Sequence, residues 1–428
     1  MGFNRIKKSL QPCFQLFYNA GWLFSAEIFA KLSRIVTIVV LAASLTPISY
    51  GTAMLSLAVH DMLSFLLRAG AGTQIIQCKS KNLIDYAKNG AAIQWIICLS
   101  LASLQFLLAD FIADIYATPA LADLLKTMAI IYLFYPWVSV RVFLLHRANC
   151  MRWFSLRSGL CTISENLSIA LFALLGADIM AVAYGKIIFS LLWLVLFSFS
   201  PVKSYGVGFN FTIFKKLLNT SRQLCSSEFL HTLRANADVF IAGKLMAPEV
   251  FGFYIFAKNA GIGLSQSIGN VFASALFPFL CKLQRQGDLF KQQGLVYFIS
   301  IGVGLLFVGQ AMLVPLYMPI IFDAKWHATI PVATVMCLIA LPIVIVNSYC
   351  LIERAKGCYT NEIKTRFTCL LITVSMLLLI SPEQPMNFAL TLLFSGFIWC
   401  FSLYFDKAIK SIVSIYITSF NRRKTHEY

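Results

Sequence analysis

Charge is scarce in this chain. Asp, Glu, Lys and Arg make up 12% of its 428 residues, against roughly 25% in ordinary soluble domains. That deficit excludes a water-soluble globular surface. Acid is scarcer still, with 18 Asp and Glu beside 35 Lys and Arg, for a net charge of +17. The twelve cysteines contain no C-x-x-C pair and no grouping with histidine. Several, such as Cys98, Cys337, Cys369 and Cys400, sit inside apolar runs and read as small buried hydrophobes. The five histidines have no ligand spacing. No GxxxxGK[ST] run, GxSxG elbow or DxD pair is present. No metal, cofactor, nucleotide site or enzyme chemistry is therefore expected.

What the chain does have is apolar length. Hydrophobic residues reach 59% and mean hydropathy is +0.77. Runs near 20 residues recur throughout, the length that crosses a bilayer as a helix. Twelve spans are predicted, near 17–44, 47–67, 89–112, 124–146, 158–176 and 179–200, then 222–245, 249–280, 294–315, 328–352, 367–381 and 386–405. The fold class is thus an all-α polytopic membrane protein. The apolar start, Gly21–Leu45, carries Glu27, Lys31 and Arg34 and lacks a small-residue cleavage site, so it reads as the first span and not a signal peptide.

The basic surplus is a topology signal. Lys and Arg crowd alternate connectors: Arg5 to Lys8, Arg68 to Lys88, Arg147 to Arg157, Lys203 to Arg222, Lys282 to Lys291, Arg354 to Arg366, and the tail from Lys407 onward. The opposite connectors hold only Lys244 and Lys325. Lys- and Arg-rich connectors stay cytoplasmic. Both termini are expected there, and nucleic acid is excluded as a partner. The segment 222–245 is the most polar span, yet without it every later connector would change sides. All non-cytoplasmic connectors are short, which leaves no room for an extramembrane catalytic domain.

A repeat organises the chain. Leu45-Thr46-Pro47-Ile48-Ser49-Tyr50-Gly51 returns as Met246-Ala247-Pro248-Glu249-Val250-Phe251-Gly252, an offset of 201 that also places Glu27 on Glu228. Each Pro suits the first turn of a helix, where its missing N–H costs nothing. Six spans per half is an even number, so both halves share one orientation, a parallel repeat about an axis along the membrane normal. The expected division is a six-helix bundle at 1–200, a cytoplasmic linker at 201–221, and a second bundle with a basic tail at 222–428. The linker reads as solvated, with a surface helix at Phe211–Leu218 as the weaker option.

Ionisable residues inside spans are expensive and mark bundle interiors or watery cavities. The first span carries Glu27, Lys31 and Arg34 on one helix face, and the seventh carries His231, Arg234 and Asp238 on another. Pairing within each helix, Glu27 with Lys31 and Arg234 with Asp238, is one reading. A hydrated cavity between the halves is the other. Its expected basic lining is Lys31, Arg34, Arg141, Arg234 and Lys258; the expected coupling or ion-pair carboxylates are Glu27, Asp61, Glu228 and Asp238. Arginine suits bidentate contact with phosphate.

The second half resembles a known family. Leu233-Arg234-Ala235-Asn236-Ala237-Asp238, Ala242-Gly243-Lys244-Leu245 and Pro248 with Gly252 and Tyr254 are similar to the polysaccharide-transporter branch of the multidrug/oligosaccharidyl-lipid/polysaccharide exporter superfamily. Phe277-Pro278, expected to close the eighth helix, Ile321 to Trp326 and Ala355-Lys356-Gly357 fit the same pattern; Asp323 and Cys358 depart from it. The resemblance implies a Wzx-type flippase with two six-helix bundles around a central cavity. Such a protein moves an undecaprenyl-pyrophosphate-linked oligosaccharide across the bacterial inner membrane for lipopolysaccharide O-antigen, capsule or exopolysaccharide assembly. Its implied partners are the lipid-linked oligosaccharide, the bilayer, H+ or Na+ as coupling ion, and other polysaccharide-assembly proteins. The alternative is a cation-coupled multidrug-type antiporter of the same superfamily.

The topology is testable by cysteine labelling. Asn4→Cys and His426→Cys should react only from the cytoplasm and Glu383→Cys only from outside. Labelling of position 383 solely from the cytoplasm would reject twelve spans.

Overall fold

The computed structural model describes residues 29–69, 72–78, 80–148, 150–203, 205–287 and 289–403. Glu27, Asn4 and His426 lie outside them. Every described span is helical. The first half comprises α1 (29–44), α2 (Pro47–Ala69), a short α3 (Gly72–Gln77), α4 (Leu83–Ile115), a broken segment of α5 (Ala120–Ala129), α6 (Ile131–Phe134) and α7 (Pro136–Arg147), then α8 (Met151–Leu174) and α9 (Met180–Ser198). The second half comprises α10 (Phe211–Leu245), α11 (Pro248–Gln286), α12 (Leu289–Ile321), a 3-10 turn at Ala324–Thr329, α13 (Ile330–Ala355), α14 (Tyr359–Ile380) and α15 (Pro385–Leu403). Within the described residues, each of the twelve predicted spans falls on one of these helices or on the broken segment; 17–28 of the first and 404–405 of the last lie outside them.

Among the described residues seven helices are long and apolar enough to cross a membrane by composition alone, and the broken segment makes an eighth. The shortfall is physical. α8, α10 and α11 hold ionisable and polar groups that lower their hydropathy, and α1 is described only from residue 29.

Three local features differ from the sequence reading. The fourth span is bent by 57° between α6 and α7, because Pro136 has no N–H for the carbonyl one turn back. A buried triad steadies the break. The Tyr132 hydroxyl donates to Gln105 Oε1 at 3.1 Å, His60 Nδ1 lies 3.2 Å from the same oxygen, and Gln105 Nε2 donates to the Leu125 carbonyl at 2.8 Å. The eighth helix does not close at Phe277-Pro278 but runs on to Gln286. The surface helix weighed at Phe211–Leu218 is the first part of α10, capped by Asn210, whose side chain accepts from the Thr212 and Ile213 N–H groups.

The two copies of the repeat meet each other. Pro47 and Pro248 open α2 and α11, and the glycines four residues on bring these helices together. A Cβ built on Gly252 would stand 1.9 Å from the Pro47 carbonyl oxygen, and one on Gly51 would stand 3.2 Å from the Gly252 Cα. Only residues without a side chain permit that approach. Aromatic rings close around the contact. Tyr50 packs edge-on to Phe256 and Trp326 at 5.8 and 5.7 Å, and Phe256 stacks on Trp326 at 4.1 Å. Trp326, fully buried, donates its Nε1–H to the Ala42 carbonyl at 2.8 Å. Lys325 reaches the Ala43 and Leu45 carbonyls, Lys244 the Ile115 carbonyl, and the Tyr116 hydroxyl the Phe240 carbonyl. The two lone basic residues of the poorly charged connectors thus cap helix ends across the junction.

Far from that junction a charged knot ties the second half. Glu362, without solvent exposure, accepts from Arg354 at 2.6 and 3.0 Å, from Arg366 at 3.0 Å and from Ser227 at 2.8 Å. Arg366 Nη1 donates to His231 Nδ1 at 2.9 Å. This links α10, α13 and α14.

The glycine contact gives an ordered prediction. Gly252→Ala meets backbone and should cost about 1–3 kcal/mol or more. Gly51→Ala meets chiefly the Phe251 ring, which can turn, and should cost less. Thermal unfolding of the purified variants measures both; equal melting temperatures would refute the packing account.

Candidate functional site

A cavity of about 470 Å³ lies between the halves, walled by α1, α2, α10 and α11. Its depth is set by the aromatic seal around Tyr50 and Trp326. On one side α2 and α10 touch through Phe65 and Phe229, with ring centroids 5.3 Å apart. Lys31 and Arg34 enter from α1, Asp61 from α2, Glu228 and His231 from α10, and Lys258 and Asn259 from α11. Lys31 and Arg34 share a cavity because they lie three residues apart on one helix face. Among the described residues Arg34 has no ion-pair or hydrogen-bond partner, and neither does the carboxylate of Asp61. Both are exposed, and both line this space.

A second space of about 350 Å³ extends into the first half and shares Lys31, Arg34 and Asp61. Its far wall is neutralised. Lys186 pairs with Glu165 at 2.7 Å. The Asn166 amide donates to Ser33 Oγ at 2.8 Å and the Ala30 carbonyl at 3.2 Å, and Thr37 Oγ1 donates to the Asn166 carbonyl at 2.7 Å. These bonds hold α1 against α8.

The second half is built differently. Asp238 is paired not with Arg234 but with Lys258, at 2.7 Å, and also accepts from the Tyr254 hydroxyl at 2.6 Å. Glu228 accepts from Arg354 at 3.3 Å. Arg234 leaves the central cavity and lines a smaller one inside the second half, its guanidinium 5.2 Å from the Trp399 ring. Register explains the turn. With an offset of 201, Arg34 corresponds to Ala235, which does line the central cavity. Arg234 is one residue earlier and hence rotated about 100° around the helix. Arg141 lies apart from all three spaces; its guanidinium donates to the Ser198 carbonyl and joins α7 to α9.

The structure therefore gathers Lys31, Arg34, Asp61, Glu228 and Lys258 at one cavity, places Arg234 and Asp238 beside it, and leaves Arg141 outside. It adds Thr232, Asn236, Asn259 and Asn270 to the lining. Asn259 also donates to the Tyr50 hydroxyl at 3.1 Å, which connects cavity and seal. Side-chain amides within apolar helices were the available signal for these residues, since each needs a polar partner.

The Lys258–Asp238 pair predicts a double-mutant result. Asp238→Ala leaves a buried ammonium without its partner and should cost about 3–5 kcal/mol. The double variant Asp238→Asn/Lys258→Met should recover most of that loss in thermal unfolding. Additive losses would show that the pair is not coupled.

Comparison with known proteins agrees with this architecture. The family model described as polysaccharide biosynthesis protein matches residues 40–331, well over half the chain. The lipopolysaccharide biosynthesis protein WzxC of Escherichia coli K12 is 21% identical over 338 residues, covering 76% of this chain. The chain spans 66%, just under two thirds, of that relative's length. Among solved structures, the lipid II flippase MurJ in an inward closed conformation superposes with a TM-score of 0.73 at 14% identity, covering 90% of this chain and 87% of that one. An inward-facing multidrug resistance MATE family transporter of the MOP superfamily gives 0.70 at 10% identity, covering 92% and 99%. These likenesses fix the fold, and the family match fixes the lineage: the chain belongs to the polysaccharide biosynthesis protein family.

Proposed function

We propose that this protein is a transporter and not an enzyme, and that it flips a lipid-linked oligosaccharide across the bacterial inner membrane. The observation that carries the reading is the cavity itself: a polar space between two apolar bundles, closed at one end, with Arg34 unpaired inside it. An undecaprenyl-pyrophosphate repeat unit has the matching chemistry. Its prenyl tail can stay in the bilayer while pyrophosphate and sugars occupy the cavity. Lys31, Arg34 and Lys258 would attract the pyrophosphate, with the Arg34 fork contacting two oxygens. Asn236, Asn259 and Asn270 offer amides to sugar hydroxyls. The relative WzxC, a lipopolysaccharide biosynthesis protein, supports this class of cargo.

The cycle would be a rocking of residues 1–200 against 201–428. Both termini and the basic connectors would face the cytoplasm, so the aromatic seal would close the outer side. Opening outward then requires the seal at Tyr50, Phe251 and Trp326 to part. A coupling ion, H+ or Na+, would act at Asp61, whose carboxylate has no partner among the described residues. Asp238 is the weaker choice, because Lys258 already supplies its cation. Such an ion biases the cycle only by binding one state better than the other.

Proteoliposomes loaded with the lipid-linked substrate test the reading. Arg34→Ala should cut flipping about tenfold or more, the worth of one charge-assisted hydrogen bond, and Arg34→Lys should rescue only partly. A Thr46→Cys/Ala247→Cys disulfide should stop flipping and reduction should restore it. Full transport with the link closed would rule out rocking.

A further inference from the structure

We propose that the second half holds a separate binding site for a small inorganic anion of the chloride class, with Arg234 and Asn347 as its donors. The site is the cavity of about 90 Å³ enclosed by α10, α11, α12, α13, α14 and α15. It adjoins the central cavity of about 470 Å³ through His231, Ala235 and Lys258.

Charge accounting leads to the anion. Two cations line this small space, Arg234 and Lys258, and one carboxylate, Asp238. Asp238 is committed to Lys258 at 2.7 Å and to the Tyr254 hydroxyl. His231 accepts from Arg366 at 2.9 Å, and Arg366 is balanced by Glu362 at 3.0 Å. Arg234 is left over. Among the described residues its guanidinium has no carboxylate and no hydrogen-bond acceptor, only the face of Trp399. A guanidinium carries five N–H donors and stays charged, so at bilayer depth it needs negative charge nearby.

A second donor shares the space: the half-buried Asn347 amide has no partner among the described residues. One anion can accept from Arg234 and Asn347 together. Trp399 contributes only its ring face, since its Nε1 does not open onto the space. The remaining wall is largely apolar, including Phe307, Met336, Ile343 and Val344. That wall gives a saccharide few polar partners. A bound anion would also bridge α10 and α13.

The test needs no transport assay, so its outcome is independent of the flipping reading. The full chain is purified in nanodiscs and its melting temperature compared in sodium chloride and sodium gluconate at equal ionic strength. Chloride should raise it by several degrees, since a ligand bound only to the native state stabilises it. Arg234→Gln should abolish the difference and Asn347→Ala, which removes the second donor, should reduce it. Arg34→Gln, which alters the central cavity only, should keep it. The proposal is overturned if chloride and gluconate give one melting temperature, or if Arg34→Gln removes the effect. It is equally overturned if inorganic pyrophosphate stabilises through Arg234 while chloride does not, which would make this space part of the cargo site. Should Arg234→Gln fail to fold, an unchanged chloride effect in Asn347→Ala decides against it.

Discussion

Backbone touching backbone at Gly51 and Gly252 is the constraint on which the rest depends. Two helices approach this closely only if both lack side chains at the crossing, and a repeat supplies that automatically, since one glycine becomes two. The approach brings Pro47 and Pro248 into opposition and leaves room around them for Tyr50, Phe251, Phe256 and Trp326. Those rings fill the junction and exclude water from one end. Everything below that junction can then diverge, and the space that opens is the cavity. In lipid there is no hydrophobic force between helices, so close packing and hydrogen bonds to carbonyls hold the seal. The bonds from Trp326, Lys325 and Lys244 to helix-end carbonyls serve that purpose, because those carbonyls have no intrahelical partner.

The halves share a scaffold but not a polar interior. Thr37 and Asp238 occupy equivalent positions in the repeat. In the first half the corresponding network is neutral: Thr37, Ser33 and Asn166 trade hydrogen bonds between α1 and α8. In the second half it is ionic, with Asp238, Lys258 and Tyr254 linking α10 to α11. A neutral network can slide between partners at small cost, whereas a buried ion pair tolerates little displacement. The second half also has the Glu362 knot with Arg354 and Arg366, whereas the first half has the single Lys186–Glu165 pair beside its neutral network.

Much of this was legible in the sequence, and the exceptions share one cause. Spans, the repeat and the helix starts at Pro47 and Pro248 follow from apolar length and backbone chemistry, which are local. The charged positions were legible too, because an ionisable residue in an apolar run stands out. Their partners were not. Helix periodicity offered Arg234 to Asp238, while Lys258, twenty residues on, took the carboxylate; only the approach of α11 to α10 decides that. Arg34 and Arg234 looked like counterparts, yet a single residue of register turns one toward the central space and the other away. Arg141 read as a cavity residue for the same reason and is a bridge between α7 and α9. The bend at Pro136 could be expected from the proline, but the His60, Gln105 and Tyr132 triad beside it could not, because it joins residues from three separate helices.

The asymmetry constrains how any coupling could work. A carboxylate responds to an external cation only if the ion finds it without an internal competitor. In the second half Lys258 is a tethered ammonium at 2.7 Å from Asp238. Its effective concentration far exceeds that of any free ion in solution, as for any tethered ligand. Protonating Asp238 would also strand Lys258, so both changes oppose release of the pair. Asp61 has neither obstacle. It faces the central cavity and the adjoining space in the first half, where Lys186 is already matched by Glu165. A charge added or removed at Asp61 acts directly on Lys31 and Arg34 across the same cavity. Neutralising Asp61 would leave those two cations with less compensation and raise the cavity's affinity for an anionic head group. Ion and cargo would then be coupled through the field they share, with the first half responding and the second half holding still.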